Sequence, residues 1–346
     1  MDSKKLSGTK FFIGIDVSKA TFNYCLRYGG GTVINGKVGN NIESIKEFVS
    51  NLKVIPEFNL RYAVFGMEVT GVYGLISMNT LTKLKAKVVV ESALRIKNSL
   101  GIVRGKNDKL DAARITRYLI KNLQELKIWG PRRKVIDELS SLSTLRERII
   151  RVRKIMITPL NEDHGFIDLS ISRSNISLCS PSILEVNQLV LNIDERIKML
   201  WKNDVNCKRL MEIMLSVMGI GDVTALQMLI HTNEFKTITT ARTFASYCGV
   251  APFEHNSGTS LKTNARVSPM ANKRIKALLY NGVITCIAND PEIKAYYKRR
   301  VEIDKKNKMS TMNAIKFKLI CRVFACVRAD RLYDRNYVSK PPELVV

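Results

Sequence analysis

The sequence predicts an α/β domain built on a mixed sheet, then a helical connector, then a mainly helical last domain. Three observations carry the prediction. Short apolar runs parted by Gly-rich turns fill roughly the first 90 residues, two long helix-spaced stripes occupy the middle, and a Gly-x-Gly turn with small residues opens the last third. The chain has 346 residues, 45% hydrophobic and 25% charged, which is globular composition and excludes a disordered polybasic tail. At roughly 100 to 200 residues per domain, that length suits two or three units. The boundaries expected are 1–130, 131–203 and 204–346.

Phe11-Phe12-Ile13-Gly14-Ile15-Asp16-Val17, Phe22–Arg27 and Thr32–Val38 read as successive antiparallel strands, the last two separated by Tyr28-Gly29-Gly30-Gly31. Ile42, Ile45, Phe48 and Val49 sit at helical spacing within Ile42–Leu52. The strand Tyr62–Glu68, a helix, the strand Lys87–Val90 and further helices complete a β-β-β-α-β-α-β-α order, which is that of an RNase H-like fold. After Trp129-Gly130-Pro131, a helix from Val135 is expected to end at Pro159 and a second to run from Ile183 to Trp201. The polar, serine-rich stretch Asn161–Pro181 reads as the loop between them, and the pair as a helical hairpin or coiled coil. Further on, Gly219-Ile220-Gly221 before a small-residue helix start matches the way helix-hairpin-helix units present backbone N–H groups to a DNA phosphate. A plain Gly-rich helix junction is the alternative.

The net charge of +25 is divided unevenly: +11 over residues 1–130, +2 over 131–200 and +12 over 201–346. Between Glu254 and Asp290 there is no acidic residue, while Lys262, Arg266, Lys273, Arg274 and Lys276 are all present. A second cluster follows from Lys294 to Lys308. Such stripes bind phosphate backbones with strong salt dependence, so nucleic acid is the expected partner. No secretory signal is expected, because Phe11–Ile15 is too short for one, and no membrane span, because Met211–Ile230 is broken by Glu212, Asp222 and Gln227. Seven cysteines without a C-x-x-C pair read as cytoplasmic thiols, and three scattered histidines argue against zinc.

Asp16 and Glu68 each close an apolar strand, and Asp108 and Asp111 lie three residues apart on one face of a helix. Singly, each is an ordinary turn or cap residue. Together, four carboxylates from two strand ends and one helix would form an oxygen-only site suited to Mg²⁺ or Mn²⁺ and to phosphodiester chemistry. Ser257-Gly258-Thr259-Ser260 alone is a loop. Beside cationic side chains and a polarised phosphate, a serine hydroxyl can attack phosphorus and conserve the bond energy in a phosphoserine link.

With these pieces the chain resembles the DEDD transposases of the IS110 insertion sequences, relatives of the Piv DNA invertases. The resemblance lies in Gly14-Ile15-Asp16-Val17-Ser18-Lys19, Glu68-Val69-Thr70-Gly71-Val72-Tyr73 and Lys106-Asn107-Asp108-Lys109-Leu110-Asp111-Ala112. It continues in Ser257–Ser260, Arg266-Val267-Ser268 and Asn272–Tyr280. It implies a RuvC-like nuclease domain with Asp16, Glu68, Asp108 and Asp111 as metal ligands, and a transposase domain with Ser257 as nucleophile. It also implies a coiled-coil connector used in assembly, a homo-oligomer (dimer or tetramer) in which the nuclease domain of one subunit meets the serine domain of another, double-stranded DNA of element and target as substrate, and a bridge-type guide RNA. A cytoplasmic, nucleoid-associated protein of a bacterial or archaeal cell follows. Val69, Met218, Ala271 and Lys276 depart from the family's usual residues. A Piv-like invertase, a metal-dependent nuclease using water and a non-catalytic nucleic-acid-binding protein are the competing readings.

Overall fold

The computed structural model describes residues 6–69, 71–101, 108–162, 166–257 and 261–336, with 108–109, 254–257 and 261–266 described by their backbone. The chain divides into two compact units, Met1–Pro131 and Arg132–Val346.

In the first unit, β1 (Phe11–Val17), β2 (Thr21–Tyr28) and β3 (Thr32–Gly39) form an antiparallel meander. The helix α1 (Ile42–Leu52) follows, and Asn41 caps it by accepting from the Ser44 N–H. Then come β4 (Ala63–Glu68), α2 (Gly74–Lys83), β5 (Lys87–Glu91), α3 (Ala93–Leu100) and α4 (Asp108–Lys121). The sheet order is β3-β2-β1-β4-β5, with β4 parallel to both β1 and β5, so the sheet is mixed as expected.

The two faces of the sheet have separate cores. Phe11, Ile13, Ile15 and Val17 pack with Ile45, Phe48, Val49 and Leu52 of α1 and Leu81 of α2. Val64 and Val89 pack with Ile96 of α3 and Ile115, Tyr118 and Leu119 of α4. Strand alternation therefore assigns Phe12, Gly14 and Asp16 to the α4 face, and likewise Val64, Gly66 and Glu68. At Gly14 the helix comes closest: an added Cβ would lie 2.3 Å from the Ala112 carbonyl oxygen and 2.5 Å from the Thr116 nitrogen. The Gly14 N–H donates to Thr116 Oγ1 at 3.0 Å, and that hydroxyl donates to the Cys25 carbonyl at 2.7 Å. One buried threonine thus joins α4 to both β1 and β2.

The second unit opens with α5 (Lys134–Glu162) and α6 (Leu169–Asn203), which run antiparallel. Arg146 grips Asp194 through both carboxylate oxygens, and Arg153 Nη1 donates to Asn187 Oδ1 at 3.3 Å. Two sequence expectations are corrected here. The first helix passes through Pro159 to Glu162, and the second begins at Leu169 rather than Ile183 and includes the serine-rich stretch and Pro181. A proline inside a helix forfeits its own N–H bond and crowds the carbonyl four residues back, a cost of about 3 kcal/mol that the mutual packing of two helices 29 and 35 residues long offsets. By length and composition alone α6 also passes as a membrane span, yet Ile193, Ile197 and Trp201 in its last turns are buried in the unit's core.

That core includes Ile136 and Leu139 of α5, together with α7 (Val205–Leu215), α8 (Asp222–Thr232), α9 (Ala241–Tyr247), α10 (Lys273–Asn289), α11 (Pro291–Lys298) and α12 (Lys308–Arg328). A π-helical segment, Arg299–Ile303, links the last two. The mostly helical character matches the expectation, with one addition. Pro252–Ser257 (β6) and Leu261–Val267 (β7) pair as antiparallel strands on either side of the stretch expected to be a loop, of which Gly258–Ser260 lie outside the described residues.

Candidate active site

β1 and β4 run parallel with Ile15 opposite Met67, so Asp16 and Glu68, each one residue further on, leave the C-terminal ends of adjacent strands. Both belong to the face covered by α4. The Gly14–Thr116 seat holds α4 against that face, and Asp108 and Asp111 occupy its first turn. The Asp108 side chain lies outside the described residues. Asp111 lies close enough to Glu68 to act on it: burial pushes the Glu68 carboxyl above the usual carboxylate range, and the negative charge of Asp111 pushes it further. Arg114, one helical turn beyond, forms an ion pair with Asp111. The sheet and helix therefore bring Asp16, Glu68 and Asp111 to one edge, and all three are partly exposed. Oxygen donors gathered this closely fit a hard divalent cation, which relieves the repulsion between their charges.

Two residues at this edge escape sequence reasoning. Glu91 stands opposite Glu68 at the end of β5 and closes an apolar run just as Asp16 and Glu68 do. Its carboxylate is already engaged by the Tyr118 hydroxyl at 2.8 Å, Arg95 Nη1 at 3.0 Å and the Ser92 N–H at 3.0 Å, which makes it a support rather than a vacant ligand. Asn40, only 7% exposed, donates to the carbonyls of Ser18 at 3.1 Å and Tyr73 at 3.0 Å and accepts from Ser77 Oγ at 2.8 Å. It ties the loop after Asp16 to the loop after Glu68. Asn40→Ala is expected to cost about 1–3 kcal/mol of stability in chemical denaturation, because a buried hydroxyl and two carbonyls lose their partner. DNA cleavage should fall about tenfold, as when the groups that orient a ligand set are removed.

In the second unit, Ser257 is the last residue of β6, opposite Leu261, which places it at the hairpin tip. Its side chain, and those of Lys262 and Arg266, lie outside the described residues. Lys273 is exposed in the first turn of α10, which Asn272 caps by accepting from the Ile275 N–H at 3.1 Å. Arg274 pairs with Glu147 of α5, so part of its charge is already committed within the unit. Lys276 is partly buried on the same helix. A polar chain that sequence reasoning missed lies beside this turn: Asn272 Nδ2 donates to the Tyr247 hydroxyl at 3.2 Å, and that hydroxyl shares a hydrogen bond of 2.9 Å with His231 Nδ1. Burial, then Arg274 and Arg132, lower the His231 pKa, consistent with a neutral ring.

Gly219 has a φ of +87° and meets α10 backbone to backbone, since a Cβ there would stand 2.7 Å from the Gly282 carbonyl oxygen. Gly221 forms the N-cap of α8 with open space in front of it, although the Asp222 carboxylate shares that first turn. A third cluster, Asp204, Cys207 and Glu234, gathers metal-ligand chemistry, but Arg133 pairs with both Asp204 and Glu234, and Lys236 reaches Glu234 at 2.7 Å. Burial also pushes the Cys207 thiol up to about 12, so it stays protonated. These charges are matched without a metal.

Residues 13–161 match the family model of the IS110-type DEDD transposases, described as "Transposase", and residues 211–298 match "Transposase IS116/IS110/IS902 family". Similar curated proteins include the pilin gene-inverting protein of Moraxella bovis, 26% identical over 95% of this chain and 99% of that protein. Its Moraxella lacunata counterpart is similar at the same identity and coverage. An insertion element IS110 uncharacterized 43.6 kDa protein of Streptomyces coelicolor is 27% identical over 35% of this chain and 30% of that protein.

Proposed function

The chain belongs to the IS110 family of transposases, and from that premise we propose a DNA recombinase that cuts and rejoins strands through a phosphoserine intermediate, guided by a bridge-type RNA. The observation that carries the reading is the meeting of Asp16, Glu68 and Asp111 on the α4 face at the ends of two parallel strands. The strand order β3-β2-β1-β4-β5 supports an RNase H-like identity for this unit. Asp16, Glu68, Asp108 and Asp111 would hold Mg²⁺, which when bound supplies Lewis-acid polarisation of a phosphodiester. Asn40 keeps the two ligand-bearing loops in register.

Ser257 is the nucleophile in this reading. Its Oγ forms a bond to phosphorus as a bridging P–O bond of the strand breaks, and the nucleotide hydroxyl set free, or that of another strand, later reverses the exchange. One phosphodiester replaces another, so rejoining needs no ATP. The glycine turn before α8, in a helix-hairpin-helix arrangement, and Lys262, Arg266, Lys273 and Lys276 hold the backbone phosphates. Arg274 adds to their field more than to direct contact, given its pairing with Glu147. Assembly as an oligomer would bring the serine and carboxylate units of different subunits to one phosphate.

The test is adduct trapping with the full chain, Mg²⁺, the noncoding RNA encoded beside the reading frame and DNA carrying the element ends. Wild type should leave protein covalently joined to DNA after denaturation, and Ser257→Ala should leave none while binding the same DNA with the same salt dependence. Cleavage by Ser257→Ala at the wild-type rate, with no adduct in either protein, would establish a water-using nuclease instead. A site-specific invertase is the second reading, favoured by similarity to the pilin gene-inverting proteins along nearly their full length. A plasmid with an invertible segment and a plasmid with a mobile element separate the two by product.

A further inference from the structure

A cavity of about 860 Å³ opens in the second unit where the base of the β6–β7 hairpin faces α9, α12 and the π-helical segment. The size suits a small organic ligand. Ser310, Asn313 and Phe317 line it from one face of α12, following the three- and four-residue spacing of a helix; Arg242 begins α9, and Arg300 comes from the π segment. Val267 and Pro252, paired across the first rung of the hairpin, close the side nearest Ser257.

Its chemistry is that of a site for a flat ring attached to an anion. Among the described residues no carboxylate lines it. Arg242 has no acidic partner among them, and the single ion pair of Arg300, to Asp304, is loose at 3.9 Å. The Arg300 Nε is buried without a hydrogen bond among the described residues. Phe317 is 38% exposed, an aromatic face left on a helix whose neighbours Ile315 and Leu319 are fully buried.

Beneath the cavity Lys316 is 1% exposed, and among the described residues it has no carboxylate partner. Its ammonium donates to Asn313 Oδ1 at 3.1 Å and lies 5.1 Å from the centroid of the Tyr280 ring. That bond orients the Asn313 amide so that its NH₂ is the group left to donate. The buried charge adds positive potential from below, and Lys298, Arg299, Lys305, Lys306 and Lys308, all exposed, rim the segment between Arg300 and Ser310. From Pro252 to Ser257 the strand spans roughly 17 Å at about 3.3 Å per residue, some five nucleotides of a stacked strand at about 3.4 Å each.

We propose that this cavity receives one unstacked nucleotide of the DNA strand that reaches Ser257, with the base against Phe317, its edge accepting from Asn313, and its phosphate between Arg242 and Arg300. The strand assignment rests on the serine reading above; the site itself does not.

The experiment measures equilibrium binding of fluorescein-labelled single strands to the full chain: a 12-nucleotide oligothymidylate, an abasic strand of equal length and charge, and an oligouridylate. Phe317→Ala should weaken oligothymidylate binding about 5- to 100-fold, the range for loss of one base-stacking aromatic, and leave the abasic strand bound as before. Phe317→Tyr should restore the affinity, which excludes misfolding as the cause. Arg300→Gln should weaken both DNA strands and shallow the salt dependence. Equal behaviour of Phe317→Ala and wild type on oligothymidylate, equal losses on both DNA strands, or a Phe317 dependence confined to oligouridylate would each overturn the proposal. A lost serine adduct with Phe317-dependent binding intact defeats the serine reading alone; the converse defeats only the cavity.

Discussion

Glu68→Gln should abolish strand cleavage, by about 10³-fold or more, while leaving the metal-free protein no less stable than wild type at neutral pH. The first part follows from the proposed function, in which Glu68 is an anionic metal ligand and the metal supplies several kcal/mol of transition-state stabilisation. The second follows from linkage. Burial and Asp111 raise the folded-state pKa of Glu68, so the folded protein binds more protons than the unfolded chain between the ordinary and the raised value. Stability from this group is therefore fully present below the ordinary pKa and is lost as pH rises through the raised one. Gln cannot ionise, so the variant escapes that loss. Thermal unfolding of both proteins in chelator, from about pH 4 to 8, should show wild type losing ground to the variant as pH rises. A variant that unfolds more readily than wild type at pH 7 would contradict a strained carboxylate pair.

Gly14→Ala is expected to damage fold and chemistry together. Its methyl group would stand 2.3 Å from the Ala112 carbonyl oxygen and 2.5 Å from both Thr116 N and Oγ1, all on α4, so the helix must retreat by about 1 Å to reach ordinary contact. Overpacking of this kind, with disruption of the Gly14–Thr116 hydrogen bond, should cost about 3 kcal/mol, or roughly 10 °C in the melting of this unit. The retreat also carries Asp108 and Asp111 away from Asp16 and Glu68, and a 1 Å misplacement of reacting groups can cost about 10²-fold in rate. Gly130→Ala, where the added methyl meets nothing within 4 Å, should change neither quantity appreciably. Thermal denaturation and single-turnover cleavage of the two variants make the comparison.

Asp16 and Glu68 were legible because a charge closing an apolar strand violates the local pattern, and the strands show clear boundaries in their Gly-rich turns. Glu91 carries the same signature, but its commitment to Tyr118 and Arg95 depends on packing against α4 and α3, which spacing along the chain does not encode. Asn40 was illegible for a different reason: two of its partners are backbone carbonyls 22 and 33 residues away, and a carbonyl leaves no trace in side-chain identity. Prolines misled at 159 and 181, since each removes a single hydrogen bond from a helix long enough, and packed well enough against its partner, to continue past it. The two strands flanking the Ser257–Ser260 stretch left no signal because they are polar and lack the alternation that marks a sheet with one buried face.

The alternation that gives the five-stranded sheet one apolar face toward α1 and one acidic edge toward α4 also separates two kinds of evolutionary pressure. Substitutions among Ile13, Ile15, Phe48 and Val49 act on persistence of the fold, and those around Asp16, Glu68 and Asp111 act on what the fold accomplishes. A lineage could exchange the first set among apolar residues of similar volume while holding the second and, on the proposed function, keep its chemistry at low overall identity. Laboratory diversification should find the same freedom, with stabilising changes on the α1 side compatible with almost any state of the acidic edge.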